Sequence, residues 1–208
     1  MILIGQYDSP FVRRVAIAMQ LYRMEYEHRT WSVFGDADRL GEVNPLRRVP
    51  TLITDDGVAL TDSFAIIDWL DHEVGPERAL FPAAGRERRD AIRVTAFFCG
   101  VADKAVSLFY EQKLHDLASD LWIERCRTQI GGTLEMLERE RAEQNTPFWG
   151  GSSLNHADIA TACVLRFVSE AHPGAIDTAM IPELSDLARR CEAMDVFQSI
   201  CQPFNPPA

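Results

Sequence analysis

Three short segments carry residue types suited to holding an anion or a peptide-like ligand. Ser9 stands between an apolar run, Met1-Ile2-Leu3-Ile4, and a helix that Pro10 suits to begin. A hydroxyl there lies beside unpaired N–H groups and the positive end of a helix dipole. Such a place stabilises an anion, and in particular a thiolate. The same residue also reads as a plain helix N-cap. Val49-Pro50 follows Arg47 and Arg48 and immediately precedes a strand-like run. A cis bond would turn the Val49 N–H and C=O outward, toward an extended ligand, although only about 5–6% of X–Pro bonds are cis, so the residues alone favour trans. Arg48 could bind a carboxylate or stand solvated. At Asp62-Ser63, a helix start with a hydroxyl and an N–H can hold a carboxylate, while the Asp can hold an ammonium group. One of the pair can cap the helix while the other binds.

These segments need elements to position them. Residues 1–6 read as a buried strand, because the apolar run does not alternate. Val12, Val15, Ala16 and Met19 follow Pro10 at helical spacing. Glu25 to Thr30 suits a second strand, and Asp36 to Val43 a short helix stopped by Asn44-Pro45. Thr51–Thr54 and Val58–Leu60 flank Asp55-Asp56-Gly57, a hairpin signal. Phe64, Ile67, Leu70 and Val74 make the stripe of a third helix. Residues 1–75 thus read β-α-β-α-β-β-α, a mixed sheet faced by helices. Gly75-Pro76 opens a break, and residues 76–85 read as a linker. Residues 86–208 show no strand pattern. Helices are expected over roughly 86–112, 116–143, 155–171, 182–194 and 195–201. The tail Pro203-Phe204-Asn205-Pro206-Pro207 cannot be helical.

Composition narrows the function. The chain of 208 residues is 47% hydrophobic and 25% charged, the profile of a folded globule. Its formal charge is −10, with 8 basic and 13 acidic side chains in residues 1–80 and 13 and 18 in the remainder. Neither part is basic, so nucleic acid and anionic membrane surfaces lack an electrostatic attraction. No secretory signal or membrane-length apolar run is visible. The five cysteines are widely spaced and lack a Cys-x-x-Cys, which suggests reduced thiols in the cytoplasm. His28, His72, His115, His156 and His172 show no ligand-type spacing, so no metal is expected. No Gly-x-Ser-x-Gly surrounds any serine.

Each segment alone is a weak signal, but their order is specific. Ser9-Pro10-Phe11, then Asn44 to Leu52 through Val49-Pro50-Thr51, then Leu60-Thr61-Asp62-Ser63-Phe64 together resemble the cytosolic glutathione transferase superfamily. Asn155-His156-Ala157-Asp158 fills the place of that family's capping box, with Asn for Ser or Thr. The resemblance covers nearly the whole chain. It implies an α/β, thioredoxin-like N-terminal domain followed by an all-helical C-terminal domain, assembled as a homodimer.

By the same resemblance, Ser9 is the residue that hydrogen-bonds the glutathione sulfur, and Phe11 belongs to the glutathione site. Val49, before a cis Pro50, partners the cysteinyl unit. Asp62 and Ser63 clamp the γ-glutamyl group, and Arg48 lies near the glycine end. Tyr7 competes with Ser9 as thiol activator, since some classes use a tyrosine near the first strand. Glutathione would then attack a hydrophobic electrophile held between the domains, with Phe11, Phe34, Phe98 and Phe109 as possible walls or ordinary core. The rival readings are a glutathione-dependent isomerase, peroxidase or dehalogenase, or a non-catalytic interaction protein. Arg14-Val15-Ala16-Ile17-Ala18 is similar to the first helix of the zeta-like isomerases, but their usual Ser-Ser-Cys run is missing. Chemistry through an enzyme cysteine at position 9 is impossible, because that residue is serine.

Overall fold

The computed structural model describes residues 1–206. The chain begins with strand β1 (Ile2–Ile4), whose Leu3 and Ile4 have no solvent exposure. Helix α1 (Pro10–Leu21) follows, then β2 (Glu27–Arg29), α2 (Ala37–Val43), β3 (Thr51–Ile53), β4 (Ala59–Thr61) and α3 (Ser63–Val74). The order matches the β-α-β-α-β-β-α reading. β1 and β2 are shorter than the sequence suggests, because only their central residues pair; β3 ends one residue early, and β4 keeps its expected length but is shifted by one residue to end at Thr61.

The four strands form one mixed sheet in the order β2-β1-β3-β4. β1 pairs parallel to β2 across the α1 crossover and antiparallel to β3, and the hairpin β3–β4 closes the edge. Val12, Val15, Ala16 and Met19 of α1 are fully buried, as are Ile66, Ile67 and Leu70 of α3. These two helices pack on each other and make most of this unit's core. The sheet with its helices is the thioredoxin-like domain that the sequence leads one to expect.

The chain then runs to Ala83 within the first unit. The stretch after α3 is pinned by Asp71, which is buried. One carboxylate oxygen takes the Tyr22 hydroxyl and the other takes the Phe81 N–H at 3.0 Å. Burial and that carboxylate push the Tyr22 phenol far above its usual range.

The second unit is all-helical: α4 (Gly85–Leu114), α5 (Asp120–Ala142), α6 (His156–Ala171) and α7 (Pro182–Glu192), with a 3-10 turn at Thr178–Met180 that the sequence did not suggest. α6 packs on α4 and α7, and α5 packs on α4 and α7. Phe98, Cys126, Leu137, Ile159, Val168 and Leu187 are central to this core.

Helix α8 (Asp195–Ser199) and the residues after it belong to the first unit by their contacts. From sequence alone, residues 86–208 read as one helical domain that includes them. The physical reason is Arg13 of α1, which is buried and donates Nε to the Ile200 carbonyl at 2.8 Å and Nη2 to the Phe197 carbonyl at 2.9 Å. It thereby satisfies carbonyls at the end of α8 that have no helical partner. Residues 203–206 are not helical, as the prolines require. Pro207 lies outside the described residues.

Candidate functional site

The sheet register gathers the three segments. Ile4, the last residue of β1, pairs with Thr51, the first of β3, and Thr51 pairs with Thr61, the last of β4. The loops carrying Ser9, Arg48-Val49-Pro50 and Asp62-Ser63 therefore leave the sheet from one end. Gly5 shows how tightly two of them meet. Its φ is +129°, and a Cβ placed on it would lie 2.5 Å from Val12 Cγ2 and 2.8 Å from Val49 Cβ. Only glycine fits there.

Ser9 is the N-cap of α1, with extended backbone and Oγ accepting from the Val12 N–H at a long 3.4 Å. Pro10 fills the first helical position, and no acidic residue occupies the first turn. The partial positive charge of this helix start is therefore not offset from within the helix. The capping and anion-binding readings of Ser9 are compatible, because the cap bond is weak and Ser9 is half-buried.

Tyr7 differs. Its ring stacks on His28 with centroids 3.9 Å apart, and its hydroxyl lies 2.9 Å from the Tyr26 hydroxyl. Burial raises its pKa, which the Tyr26 bond only partly opposes. Its hydroxyl is thus already within hydrogen-bond distance of a second phenol.

The Val49–Pro50 peptide is cis, where bond statistics favour trans and the family resemblance implies cis. Val49 is half-buried, Pro50 buried and the Arg48 side chain exposed. The Arg48 carbonyl accepts from Asn44 Nδ2 at 3.0 Å and from Thr51 Oγ1 at 2.9 Å. Asn44 Nδ2 also lies 2.9 Å from Thr51 Oγ1 and 3.1 Å from Thr61 Oγ1. This buried amide thus ties the loop to the ends of β3 and β4. From sequence alone, Asn44 reads only as a helix stop. Its place before Pro45, where a side-chain turn is favoured, was the available signal.

At the third segment Asp62 has φ of 72° and caps α3, its carboxylate accepting from the Phe64 N–H at 2.7 Å. A non-glycine residue in that region carries strain of about 1–3 kcal/mol, a feature that clusters at ligand sites. Asp62 is exposed. Ser63 is buried, and its hydroxyl accepts from Arg14 Nη1 at 3.1 Å. The two residues therefore divide the roles, the acid capping and the hydroxyl held by the arginine. Arg14 is 1% exposed and also stacks over Phe64 at 4.8 Å. From sequence, Arg14 figures only in the helix run similar to the zeta-like isomerases, and neither Arg13 nor Arg14 is given a role at the site. Two charges inside the apolar run Val12–Met19, which has no polar face, were the sign that both are buried.

Of the aromatic candidates, Phe11 is half-buried and Phe34 is 43% exposed. Phe98 and Phe109 lie in the core of the helical unit, where Phe109 meets His172 edge-on at 6.1 Å.

In the helical unit, Asn155 Oδ1 accepts from the Ala157 and Asp158 N–H groups, and Asp158 Oδ2 accepts from the Asn155 N–H at 2.8 Å. This is a complete capping box at the start of α6. Asp158 Oδ1 takes the Trp149 N–H at 2.8 Å and fixes the preceding loop. Full burial pushes the Asp158 carboxyl up to about 6, against the lowering by those backbone bonds and by Arg141.

A thioredoxin-like sheet with an unoffset helix start at its first turn, followed by an all-helical unit with a buried capping box, defines the glutathione transferase class of architecture. The family comparison agrees. The glutathione S-transferase N-terminal domain profile matches residues 3–78, and the C-terminal domain profile matches residues 120–192. The chain belongs to the cytosolic glutathione transferase superfamily. It is 27% identical to a probable maleylacetoacetate isomerase of Drosophila melanogaster, over 99% of this chain and 84% of that protein. It is 29% identical to a probable glutathione S-transferase of Oryza sativa subsp. japonica, over 94% of this chain and 86% of that protein. A glutathione S-transferase from Methylobacterium radiotolerans, solved with glutathione sulfonate, superposes with a TM-score of 0.89 at 27% identity, covering 100% of this chain and 98% of that one. Among the described residues, no helix is long and apolar enough to cross a membrane.

Proposed function

We propose that the protein binds glutathione at the shared end of β1, β3 and β4 and stabilises its thiolate at Ser9 for attack on a hydrophobic electrophile. The observation that carries this is the register Ile4–Thr51–Thr61, which sets the anion-suited, backbone-presenting and amino-acid-suited segments side by side. In this reading the Ser9 hydroxyl donates to the sulfur and Val49 presents its backbone to the cysteinyl unit. Arg14 keeps the Ser63 hydroxyl proton free for a carboxylate. Asp62 receives the ammonium group, Arg48 faces the glycine end, and Phe11 borders the ligand.

The energetics suffice. A cysteine-type thiol has pKa about 8.5. A hydrogen bond to a charged group contributes about 1.5–3 kcal/mol. At about 1.4 kcal/mol per unit, that lowers the thiol pKa by about one to two units, and the helix start adds to it. The bound sulfur is then largely thiolate near neutral pH, and proximity does the rest.

A second reading keeps the site and changes the reaction: reversible addition of the thiolate to an unsaturated acid, followed by bond rotation and release. The name of the fly relative supports it. The test is retention on immobilised glutathione, followed by parallel assays with an aryl halide and a cis-unsaturated diacid. Turnover of the halide supports transfer. Turnover of the diacid alone supports isomerisation. Absence of retention would remove both.

A further inference from the structure

The C-terminal segment returns to the turn that carries Ser9. Three contacts hold it there. Gln202 Oε1 accepts from the Tyr7 N–H at 3.2 Å, and Asp8 Oδ2 accepts from the Asn205 N–H at 3.0 Å. Arg13 takes the Ile200 and Phe197 carbonyls and lies 5.7 Å from the centre of the Phe197 ring. Phe197 is fully buried. These contacts bracket Ser9: Tyr7 and Asp8 precede it, and Arg13 follows by one helical turn.

The strap grips the middle of the turn, at Tyr7 and Asp8, while other bonds fix its two ends at Gly5 and Ser9. Between Ile4 and Pro10 the backbone bonds are Gly5 N–H to the Arg29 carbonyl at 2.9 Å, Ser9 N–H to the Gln6 carbonyl at 3.2 Å and Arg13 N–H to the Ser9 carbonyl at 2.9 Å, and the Gly5 carbonyl lies 2.7 Å from His28 Nε2. The Tyr7 ring is anchored on His28, but its N–H depends on the Gln202 side chain. A hydroxyl must be placed to within about half an ångström to serve a reacting sulfur. A strap that grips both residues before it supplies that placement.

We infer that residues 193–206 form a positioning strap for the thiolate turn, with Gln202 and Asn205 as positioning residues acting through Ser9. The inference rests on the proposed thiolate function of Ser9. Gln202 is half-buried and Asn205 exposed, and neither belongs to a helix or strand, so changing them leaves the core intact.

The test is a double-mutant cycle read by ultraviolet titration of the thiol of bound glutathione, with kcat and KM in parallel. Gln202→Leu removes the acceptor at similar size, and Asn205→Pro removes the N–H that Asp8 accepts. Each variant is expected to raise the thiol pKa by about half a unit or more and to lower kcat about threefold, with KM for glutathione changed less. In the Ser9→Ala background both effects vanish. If Ser9→Ala raises the thiol pKa but the strap variants leave it at the wild-type value, the strap inference falls and the function stands. The inference also falls if the strap variants act equally with and without the Ser9 hydroxyl. An unshifted thiol in the wild-type protein, unchanged by Ser9→Ala, overturns the function and the strap together.

Discussion

The Arg14 guanidinium donates to the Ser63 hydroxyl across 3.1 Å and so joins the first helix to the first turn of the third. Ser63 follows β4 by two residues, beside Asp62, and both side chains of the bond are buried. Orientation of the hydroxyl follows from it, because a guanidinium can only donate and the serine oxygen must accept.

Removing either partner separates binding from chemistry. Ser63→Ala is expected to raise KM for glutathione about tenfold, the effect of one bond to a charged group, while kcat changes little. Arg14→Met should raise KM by a similar factor and also destabilise the fold by about 1–3 kcal/mol, since it strips a buried bond. Steady-state kinetics and denaturant melts measure both.

Gly5 is the point where backbone geometry leaves no freedom. A methyl group there meets Val12 at 2.5 Å and Val49 at 2.8 Å, on a backbone with φ of +129°. Gly5→Ala is expected to cost about 2 kcal/mol or more and to weaken glutathione binding by displacing Val49. A melt at wild-type temperature would contradict this contact.

These residues show where sequence reading succeeds and where it stops. The order of strands and helices was legible, because Met1–Ile4 does not alternate and Val12, Val15 and Met19 keep a helical period. Asp62 and Ser63 were legible as a pair. Their division of labour was not, because it depends on Arg14, and no local pattern pairs that arginine with a serine 49 positions away. The partnership of Arg13 with the carbonyls of Phe197 and Ile200 joins residues more than 180 positions apart. No periodicity encodes such a contact, so the final segment reads from sequence as part of the nearer helical domain.

Asp158 gives a pH signature. Its folded pKa of about 6 lies above the ordinary carboxylate value because burial disfavours the charge. The folded state therefore binds the proton more tightly than the unfolded chain. The stabilisation from this group is full below about pH 4 and is lost as pH rises through about 6. Asp158→Ala, which breaks the capping box, is expected to cost about 1–3 kcal/mol, with a larger penalty at pH 4.5 than at pH 7.5. Thermal melts of both proteins across that range measure the difference.

The most direct test of Ser9 is titration of the glutathione thiol in complex with the wild-type protein, Ser9→Ala and Tyr7→Phe. The wild-type complex is expected to titrate about one to two units below free glutathione. Ser9→Ala should return most of that shift, and Tyr7→Phe should leave it in place. A shift that survives Ser9→Ala and disappears with Tyr7→Phe would contradict the assignment of the sulfur to the start of α1.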